Sequence, residues 1–539
     1  MRLNQPLTIT PKTLKQWLHD GQEIALLDIR EHGQYGEEHL FYIVSVPYSR
    51  LEIEIERLVP RKDVRMVLVG DNEGILSAIA NQRLNALGYK NVHALEGGMR
   101  AWKQAGYEVF AGVNLPSKAF GELAEHAFNT PRISAVELNE RIAAKDDLVI
   151  LDGRPFAEYK KMSIPTASCC PNGELALRID DIVTSPDTTI VINCAGRTRS
   201  IIGAQTLINL GIPNKVLALE NGTQGWYLED LSLDHGQTRK YPDQINHSAL
   251  EARQARSRAL AEKHGVRFVE THTISQWLKE KDRTTFLCDV RTPEEYALGT
   301  IPGAQHTPGG QLVQATDQYI GVKGSRLVLI DSENVRAPAM ASWLAMLGWE
   351  VVVWENAFKS PVTDTVRNQV SDTPQNAQTQ RDEILYKEIH ADQIAECIKT
   401  GFKLIDLRPS MKYREAHIKN AIWSIRPKLS QLAALLADQS VVLLTEEIEV
   451  AKVATIDLKE IGVKEVCICA ANATAWQGLT LPTEATPNSP TDDQCIDYLF
   501  FVHDRHDGNK AAARQYLAWE MNLLAQIDEQ EKSAFKLPH

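Results

Sequence analysis

The chain has 539 residues, of which 43% are hydrophobic and 24% are charged, and its formal net charge is −12. At about 150 residues per domain this length predicts three or four domains, with enough apolar material for several cores. The negative charge argues against a nucleic-acid surface, and no stretch approaches the roughly 18 apolar residues of a membrane span.

The first twenty residues run directly into a helical pattern and contain no apolar core of a secretory signal. Eight cysteines are spread thinly along the chain, and none forms a C-x-x-C pair that would indicate zinc or thioredoxin-like chemistry. We therefore expect a cytoplasmic protein. Cys288 and Cys467 lie in apolar, strand-like runs, where we expect small buried side chains.

A four-fold internal repeat dominates the sequence. Each copy has an apolar strand ending in Asp-x-Arg, and a tyrosine follows at a fixed distance. Because the pair recurs in every copy, we expect a structural Asp–Arg interaction rather than a catalytic one. The aspartates are Asp28, Asp152, Asp289 and Asp406, the arginines Arg30, Arg154, Arg291 and Arg408, and the tyrosines Tyr35, Tyr159, Tyr296 and Tyr413.

Each copy continues with a second apolar strand, a short loop, a helix and a third strand. The helices end at glycines, a typical C-terminal capping residue. Short apolar strands that alternate with helices predict an α/β fold in which a small parallel sheet is covered by helices on both faces. The capping glycines are Gly88, Gly211, Gly348 and Gly462.

Polar stretches divide the copies. The tail has helical spacing through Tyr516, Leu517, Trp519, Met521, Leu523 and Leu524, and predicts an amphipathic helix packed on the repeats or on a second subunit. The predicted organisation is a first repeat at 1–113, a second at 125–235, a connecting helix at 246–265, a third repeat at 266–360, a polar linker at 361–383, a fourth repeat at 384–485 and a helical tail at 490–539.

The second repeat carries the motif with chemical potential, "NCAGRTRS", between its second strand and the following helix. A loop at a helix N-terminus directs backbone N–H groups inward and lies at the positive end of the helix dipole. A cysteine there is stabilised as the nucleophilic thiolate. Arg197 and Arg199 add positive charge, so Cys194 is predicted to be reactive and to meet an anionic substrate. The alternative is a structural cysteine at a strand end.

This pattern resembles the rhodanese, or thiosulfate sulfurtransferase, superfamily, in which a Cys-x4-Arg loop carries a persulfide. "CAGRTR" matches that loop, with "LDGRPFAEY" upstream and "LENGTQGW" downstream in the family's order. The resemblance covers four tandem units over most of residues 1–485. It implies catalytic roles for Cys194 and Arg199, and substrate binding by Ala195, Gly196, Arg197, Thr198 and Ser200.

Loop length and charge narrow the implied chemistry. Related phosphatases and arsenate reductases have a Cys-x5-Arg loop, one residue longer than this one, so the smaller loop favours sulfur transfer. Two arginines suit a doubly charged donor such as thiosulfate better than mercaptopyruvate. The resemblance implies a two-step transfer from a small anionic donor to a thiol or cyanide, with no cofactor and no metal. Arg199 is expected to fix the loop or contact the donor, and Arg197 to be the more exposed donor-recognition residue.

Three sister loops lack the cysteine. Asp71, Asp331 and Thr445 stand in its place, and glutamates follow in each loop. We expect the two aspartates to cap helices and these repeats to act as scaffold, interface or gating elements.

Three questions stay open from the sequence. Cys169 or Cys170 could relay sulfur from Cys194, or both could be structural. Glu174 is a weak site candidate, because its counterpart in the third repeat is Gln311. A persulfide carrier fed by a partner enzyme is the alternative to a turnover enzyme, with the repeats lacking cysteine supplying a homodimer or partner surface. A phosphatase or arsenate reductase is the third hypothesis, which the loop length disfavours.

Overall fold

The computed structural model describes residues 6–359, 386–471, 481–506 and 508–538. The predicted linker at 361–383 lies outside these residues. The chain forms two compact units. The first contains the first and fourth repeats, in residues 6–20, 24–113 and 386–501; the second contains the second and third repeats with the C-terminal tail, in residues 21–23, 114–359 and 502–538.

The first repeat alternates short strands with helices, as the sequence predicts. Its second and fourth strands are buried at every position, which explains their uninterrupted apolar sequence. The strands are β1 Leu7–Ile9, β2 Ala25–Asp28, β3 Val44–Ser45, β4 Met66–Val69 and β5 Val92–Leu95, and the helices are Pro11–Trp17, His32–Glu37, Leu51–Leu58, Ile75–Ala86 and Gly98–Gln104.

The second repeat follows the inter-repeat helix, Leu115–Phe128. Every residue of its fourth strand is buried, and that strand leads into the Cys194 loop. Its strands are β6 Arg132–Ile133, β7 Leu148–Asp152, β8 Ser168–Cys169, β9 Thr189–Asn193 and β10 Val216–Leu219, and its helices are Ala135–Ala144, Phe156–Lys161, Leu175–Ile182, Thr198–Asn209 and Gly222–Leu228.

The third repeat comes after the helix Leu250–Lys263. Its strands are β11 Arg267–Val269, β12 Thr285–Asp289, β13 Ala304–His306, β14 Arg326–Ile330 and β15 Glu350–Trp354, and its helices are Thr271–Trp277, Pro293–Leu298, Gly309–Gln314 and Arg336–Met346.

The fourth repeat and the tail complete the described chain. The fourth repeat has strands β16 Lys387–Ile389, β17 Lys403–Asp406, β18 His417–Ile418, β19 Ile422–Trp423, β20 Ser440–Thr445, β21 Glu465–Ala470 and β22 Thr483–Glu484, and helices Ile394–Lys399, Ser410–Glu415, Ala433–Leu436 and Ile448–Glu460. The tail has the C-terminal helix Lys510–Met521, followed by Leu523–Gln526 and Glu529–Lys532. Short 3-10 helices occupy Tyr48–Arg50, His247–Ala249, Thr316–Gln318, Ala391–Gln393, Arg426–Leu432 and Asp492–Gln494.

All four repeats build the same five-stranded parallel sheet, which confirms the predicted α/β fold. The spatial orders are β1-β5-β4-β2-β3, β6-β10-β9-β7-β8, β11-β15-β14-β12-β13 and β16-β21-β20-β17-β19. The fourth repeat adds a small antiparallel pair, β18 with β22. The central strands of the four sheets are β4, β9, β14 and β20. The C-terminal end of each, where the loop begins, therefore lies in the middle of one edge of its sheet.

The Asp-x-Arg signature is structural, as predicted. Asp152 is fully buried at the end of β7 and accepts hydrogen bonds from the backbone N–H and the guanidinium of Arg154. Arg154 Nη2 also donates to the carbonyl oxygen of Met162 at 2.6 Å, which ties the strand end to the next turn. Equivalent pairs and carbonyl contacts recur in the other three repeats.

The repeat tyrosine and the capping glycines have equally local roles. The hydroxyl of Tyr159 donates to the carbonyl oxygen of Ala167 at 2.8 Å, and Tyr413 makes the same contact with Ala421 at 2.7 Å. Gly211 ends the helix after the cysteine loop with a φ of +71°, a left-handed conformation that favours glycine. Among the described residues, no helix combines the length and the apolar character needed to cross a bilayer.

Candidate functional site

The candidate site is the loop between β9 and the helix Thr198–Asn209. Cys194 is the first residue after the strand and is 2% exposed. The hydroxyl of Ser200, one turn into the helix, donates to Cys194 Sγ at 3.2 Å. This contact and the helix N-terminus both favour a negatively charged sulfur.

The loop backbone is held by the helix Gly222–Leu228. Thr223 N–H donates to the carbonyl of Cys194 at 2.8 Å, and Gln224 N–H donates to that of Ala195 at 3.1 Å. In a planar trans peptide the N–H points opposite to the C=O, so the N–H groups of Ala195 and Gly196 point away from this helix. A Cβ at Gly222 would lie 2.2 Å from the Cys194 oxygen, so only glycine allows the contact.

Arg199 is fixed against the loop rather than free. Its guanidinium forms a bidentate pair with Glu158, at 2.9 and 2.8 Å, and its Nη1 lies 3.4 Å from Gln311 Oε1 of the third repeat. Burial lowers the pKa of Arg199, but the charges of Glu158 and Cys194 outweigh it and the pKa is raised. Arg199 is therefore a permanent positive charge beside the cysteine.

Arg197 does not match its predicted exposure. Its side chain is 10% exposed, against 14% for Arg199. The guanidinium binds Glu122 and Glu125 on the inter-repeat helix, with Nε to Glu122 Oε1 at 2.7 Å. Both carboxylates compete with any donor for this arginine, so Arg197 anchors the loop to that helix.

A second group of polar residues covers the loop from outside the repeat. Lys118 lies on the inter-repeat helix, while Tyr516 and Glu520 lie on the C-terminal helix; all three are buried. Lys118 Nζ contacts the Tyr516 hydroxyl and lies 3.7 Å from Glu520 Oε1. Thr198 Oγ1 donates to Glu520 Oε1 at 2.9 Å, which attaches the tail to the loop.

The C-terminal helix thus packs on the second repeat. A Cβ at Gly196 would lie 3.2 Å from both Glu520 Oε2 and Tyr516 Cε1, so the tail touches the middle of the loop. Met521, predicted on the apolar face, is 52% exposed because the helix ends there. The sequence indicates a packed helix but does not indicate that this helix contacts the loop after Cys194.

The second and third repeats exchange residues at their loops. Arg336 of the third repeat stands at the position of Arg199 and pairs with Glu295 as Arg199 pairs with Glu158. Glu174 of the second repeat reaches Arg336 Nη1 at 2.9 Å. Gln311 of the third repeat makes the reciprocal contact with Arg199. Glu174 therefore contacts the arginine of the third loop and not that of the cysteine loop.

The loops without cysteine are held by their own side chains. Asp71 Oδ2 accepts from Leu76 N–H at 2.9 Å, and Asp331 Oδ2 accepts from Val335 and Arg336 N–H at 3.0 and 2.9 Å. Both aspartates accept from N–H groups at the start of the following helix, but they are not its N-cap residues as predicted; those are Gly74 and Val335. Thr445 Oγ1 accepts from Glu447 N–H at 3.2 Å. In the third loop, Glu333 also binds Arg336 Nη2 at 2.5 Å.

The other cysteines of the second repeat do not share the environment of Cys194. Cys169 and Cys170 are buried at 1% and 0% exposure. Burial, with the nearby Asp152 carboxylate, raises the pKa of Cys169 to about 12, and burial with the Glu174 charge raises the pKa of Cys170 well above its usual value. A thiol held neutral is a poor relay nucleophile, which favours the structural reading of both.

Sequence reasoning brought together the residues of the loop but missed its cover. Ala195, Gly196, Thr198 and Ser200 lie with Cys194 in one turn, as their adjacency requires. Lys118, Gln311, Tyr516 and Glu520 reach the site from other elements. No local motif marks them, since their approach depends on how the repeats and the tail pack.

Comparisons with known proteins agree with this architecture. A sequence model of the Rhodanese-like domain matches residues 10–105, 134–229 and 271–360. The solved structure of thiosulfate sulfurtransferase from Pseudomonas aeruginosa is 37% identical, with a TM-score of 0.86, over 98% of this chain and 99% of that one.

Two curated relatives match more narrowly. The thiosulfate sulfurtransferase of Azotobacter vinelandii is 26% identical over 246 residues, 39% of this chain and 89% of its own length. The uncharacterized protein slr1261 of Synechocystis is 34% identical over 110 residues, 20% of this chain. The chain spans 59% of the length of slr1261.

Proposed function

The chain belongs to the rhodanese family, and on this premise we propose that it is a sulfurtransferase that carries sulfane sulfur as a persulfide on Cys194. The donor is a small thiosulfate-like anion, and the acceptor is a thiol, or cyanide in an assay. The observation that carries the proposal is the Ser200 hydroxyl donating to Cys194 Sγ at 3.2 Å, at a helix N-terminus and beside Arg199. The name of the Pseudomonas aeruginosa protein supports the same activity.

The proposed reaction has two steps. The Cys194 thiolate attacks the outer sulfur of thiosulfate, so a sulfur–sulfur bond forms, the bond to the sulfonate sulfur breaks, and its electron pair leaves with sulfite. An acceptor thiolate then attacks the outer sulfur of the persulfide and regenerates the Cys194 thiolate. Three negative charges are present before and after the first step. No metal and no cofactor takes part in this scheme.

The loop residues divide this work. Ser200 and the N–H groups of Ala195 and Gly196 stabilise negative charge on sulfur, as an oxyanion hole does for oxygen. Arg199 offsets the donor's charge, while Glu158 keeps its guanidinium oriented. Arg197 and Thr198 hold the loop to Glu122 and Glu520. All eight cysteines are free, which fits the reducing cytoplasm expected from the sequence.

The carrier and phosphatase alternatives make different predictions. Cys194 is 2% exposed and the C-terminal helix packs on its loop at Gly196, which favours small donors over a partner enzyme. Steady-state thiocyanate formation from thiosulfate and cyanide by the isolated chain would support turnover. Persulfide formed only in the presence of a partner protein would support a carrier, and hydrolysis of a chromogenic phosphate ester would support a phosphatase.

Intact-protein mass spectrometry tests the proposal directly. The reduced chain is measured before and after thiosulfate, together with Cys194→Ser and with Cys170→Ser, a buried cysteine of the same repeat. We expect one added sulfur on the wild type and on Cys170→Ser, and none on Cys194→Ser. A folded, reduced wild-type chain that gains no sulfur would contradict thiosulfate chemistry at Cys194.

A further inference from the structure

The cover of the Cys194 loop contains charged and polar side chains where an apolar cover would suffice. Lys118, Tyr516 and Glu520 are 4%, 8% and 1% exposed. Burying a lysine and a glutamate costs free energy, and replacing such a pair with apolar residues is often neutral or stabilising. Simple attachment of the tail therefore does not explain these residue types.

These residues lie against the loop that begins at Cys194. Tyr516 and Glu520 contact Gly196, and Glu520 accepts from Thr198, two and four residues after Cys194. Lys118 Nζ contacts the Tyr516 hydroxyl and lies 4.4 Å from the centre of its ring. Arg505 covers that ring at 4.5 Å. The side chains thus form a continuous wall from the inter-repeat helix to the tail.

The wall interacts electrostatically with the cysteine. Burial lowers the pKa of Lys118; Glu520 and Cys194 raise it, while Arg505 and Arg199 lower it further. The same four groups act on Tyr516, whose pKa burial raises. Glu520 and Cys194 therefore favour the protonated form of Lys118, whereas burial and the two arginines oppose it, so a further anion beside the loop would stabilise the positive charge.

One polar atom of the wall has no protein partner. Glu520 Oε2 is buried and, among the residues that the structure describes, it accepts no hydrogen bond. Its other oxygen is shared by Thr198 and Lys118. A buried carboxylate oxygen without a donor is unfavourable, and next to Gly196 it places negative charge beside the loop, which opposes the binding of an anion.

We propose that Lys118 and Tyr516 form the outer half of the donor site and bind the sulfonate end of a small dianionic sulfur donor above Cys194. The C-terminal helix then sets donor specificity, because it supplies Tyr516 and closes the space above Gly196. Glu520 orients Lys118 and limits the attraction for anions. This inference rests on the proposed function.

Two-substrate kinetics separate this role from a structural one. In a two-step transfer, kcat/KM for thiosulfate reports only the first step, and kcat/KM for cyanide reports only the second. Lys118→Met is expected to lower kcat/KM for thiosulfate by about tenfold or more, the scale of one lost charge-assisted contact. Its kcat/KM for cyanide is expected to stay within about twofold. Tyr516→Phe is expected to act in the same direction with a smaller loss.

Glu520→Gln is the companion variant, and its effect has the opposite sign. Glutamine retains an oxygen for Thr198 but removes the negative charge, so kcat/KM for thiosulfate is expected to rise several-fold. The rise should be smaller for a singly charged aryl thiosulfonate donor. Lys215→Met, which removes an exposed lysine of the same repeat, serves as the charge control and should change neither value.

Several outcomes would overturn the inference. It fails if Lys118→Met and Glu520→Gln shift the thiosulfate value in the same direction, or if both leave it within about twofold of wild type. Thiosulfate binding to Cys194→Ser, with and without Lys118→Met, supplies a readout that needs no chemistry. A wild type that forms no persulfide contradicts the proposed function, whereas equal thiosulfate binding by those two chains contradicts the present inference alone.

Discussion

Replacing Ser200 by alanine tests whether the loop activates its cysteine. Ser200 is fully buried and its hydroxyl donates to Cys194 Sγ at 3.2 Å. In Ser200→Ala the thiolate loses this donor, and the buried position leaves little room for a water to replace it.

The size of the effect follows from the type of bond. A hydrogen bond to a charged group contributes roughly 1.5–3 kcal/mol. Because sulfur is a weak acceptor, the lower end applies, and about 1.4 kcal/mol corresponds to a factor of ten. We therefore expect persulfide formation from thiosulfate to slow by about tenfold.

Rapid quenching followed by intact-mass measurement gives this rate in a single turnover. Ser342→Ala is the matched control, because Ser342 lies in the corresponding helix of the third repeat, is equally buried and donates to the backbone carbonyl of Ala339 at 2.7 Å. A Ser200→Ala rate within twofold of wild type, with the control unchanged, would refute the argument that this hydroxyl stabilises the reacting sulfur.

Three further predictions follow from the charges described above. Gln311→Glu is expected to lower kcat/KM for thiosulfate by about tenfold, since it adds a carboxylate beside Arg199; Gln314→Glu, one turn along the same helix, should have little effect in the same assay. Arg154→Met is expected to lower the free energy of unfolding in urea by about 3–5 kcal/mol, because it leaves the buried Asp152 without its opposite charge, whereas loss of the exposed Lys240–Asp243 pair in Lys240→Met should change that free energy little. Burial raises the pKa of Glu295, but Arg336 outweighs it and lowers the pKa to about 2; the pair therefore stabilises the folded chain above the unfolded pKa, and this stabilisation is lost as pH falls from about 4.5 to about 2. Glu295→Gln should flatten that part of the stability profile, while the exposed neighbour Glu294→Gln should leave it steep.

The sequence predicted the fold because its determinants are local. Buried parallel strands are recognisable as apolar runs, and glycines mark the ends of the helices. The hydrogen bonds of the Asp-x-Arg signature join residues that are two positions apart. The edge strands were not predicted, since β3, β6 and β8 have two residues each and carry no periodicity. Their pairing is decided by the neighbouring strand.

The sequence predicts the site residues that lie within the Cys194 loop, but not those that other elements contribute. Cys194, Arg199 and Ser200 are adjacent in sequence, so their proximity follows from one helical turn. Arg197 was misjudged because its partners, Glu122 and Glu125, lie about 75 residues away on another helix. Lys118 lies on that same helix, and its contacts with Tyr516 and Glu520 form only when the tail packs on the second repeat.

The reciprocal contacts of Glu174 and Gln311 give the second and third loops different charge environments. Glutamate and glutamine have nearly the same shape, yet Glu174 adds a further carboxylate to Arg336, whereas the neutral Gln311 leaves Arg199 with the carboxylate of Glu158. A cysteine at position 331 alone would therefore not restore the third loop, because Glu174 and Glu333 would still occupy Arg336. An active third loop would also require a substitution at Glu174 in the second repeat, so the sequences of the two loops are coupled.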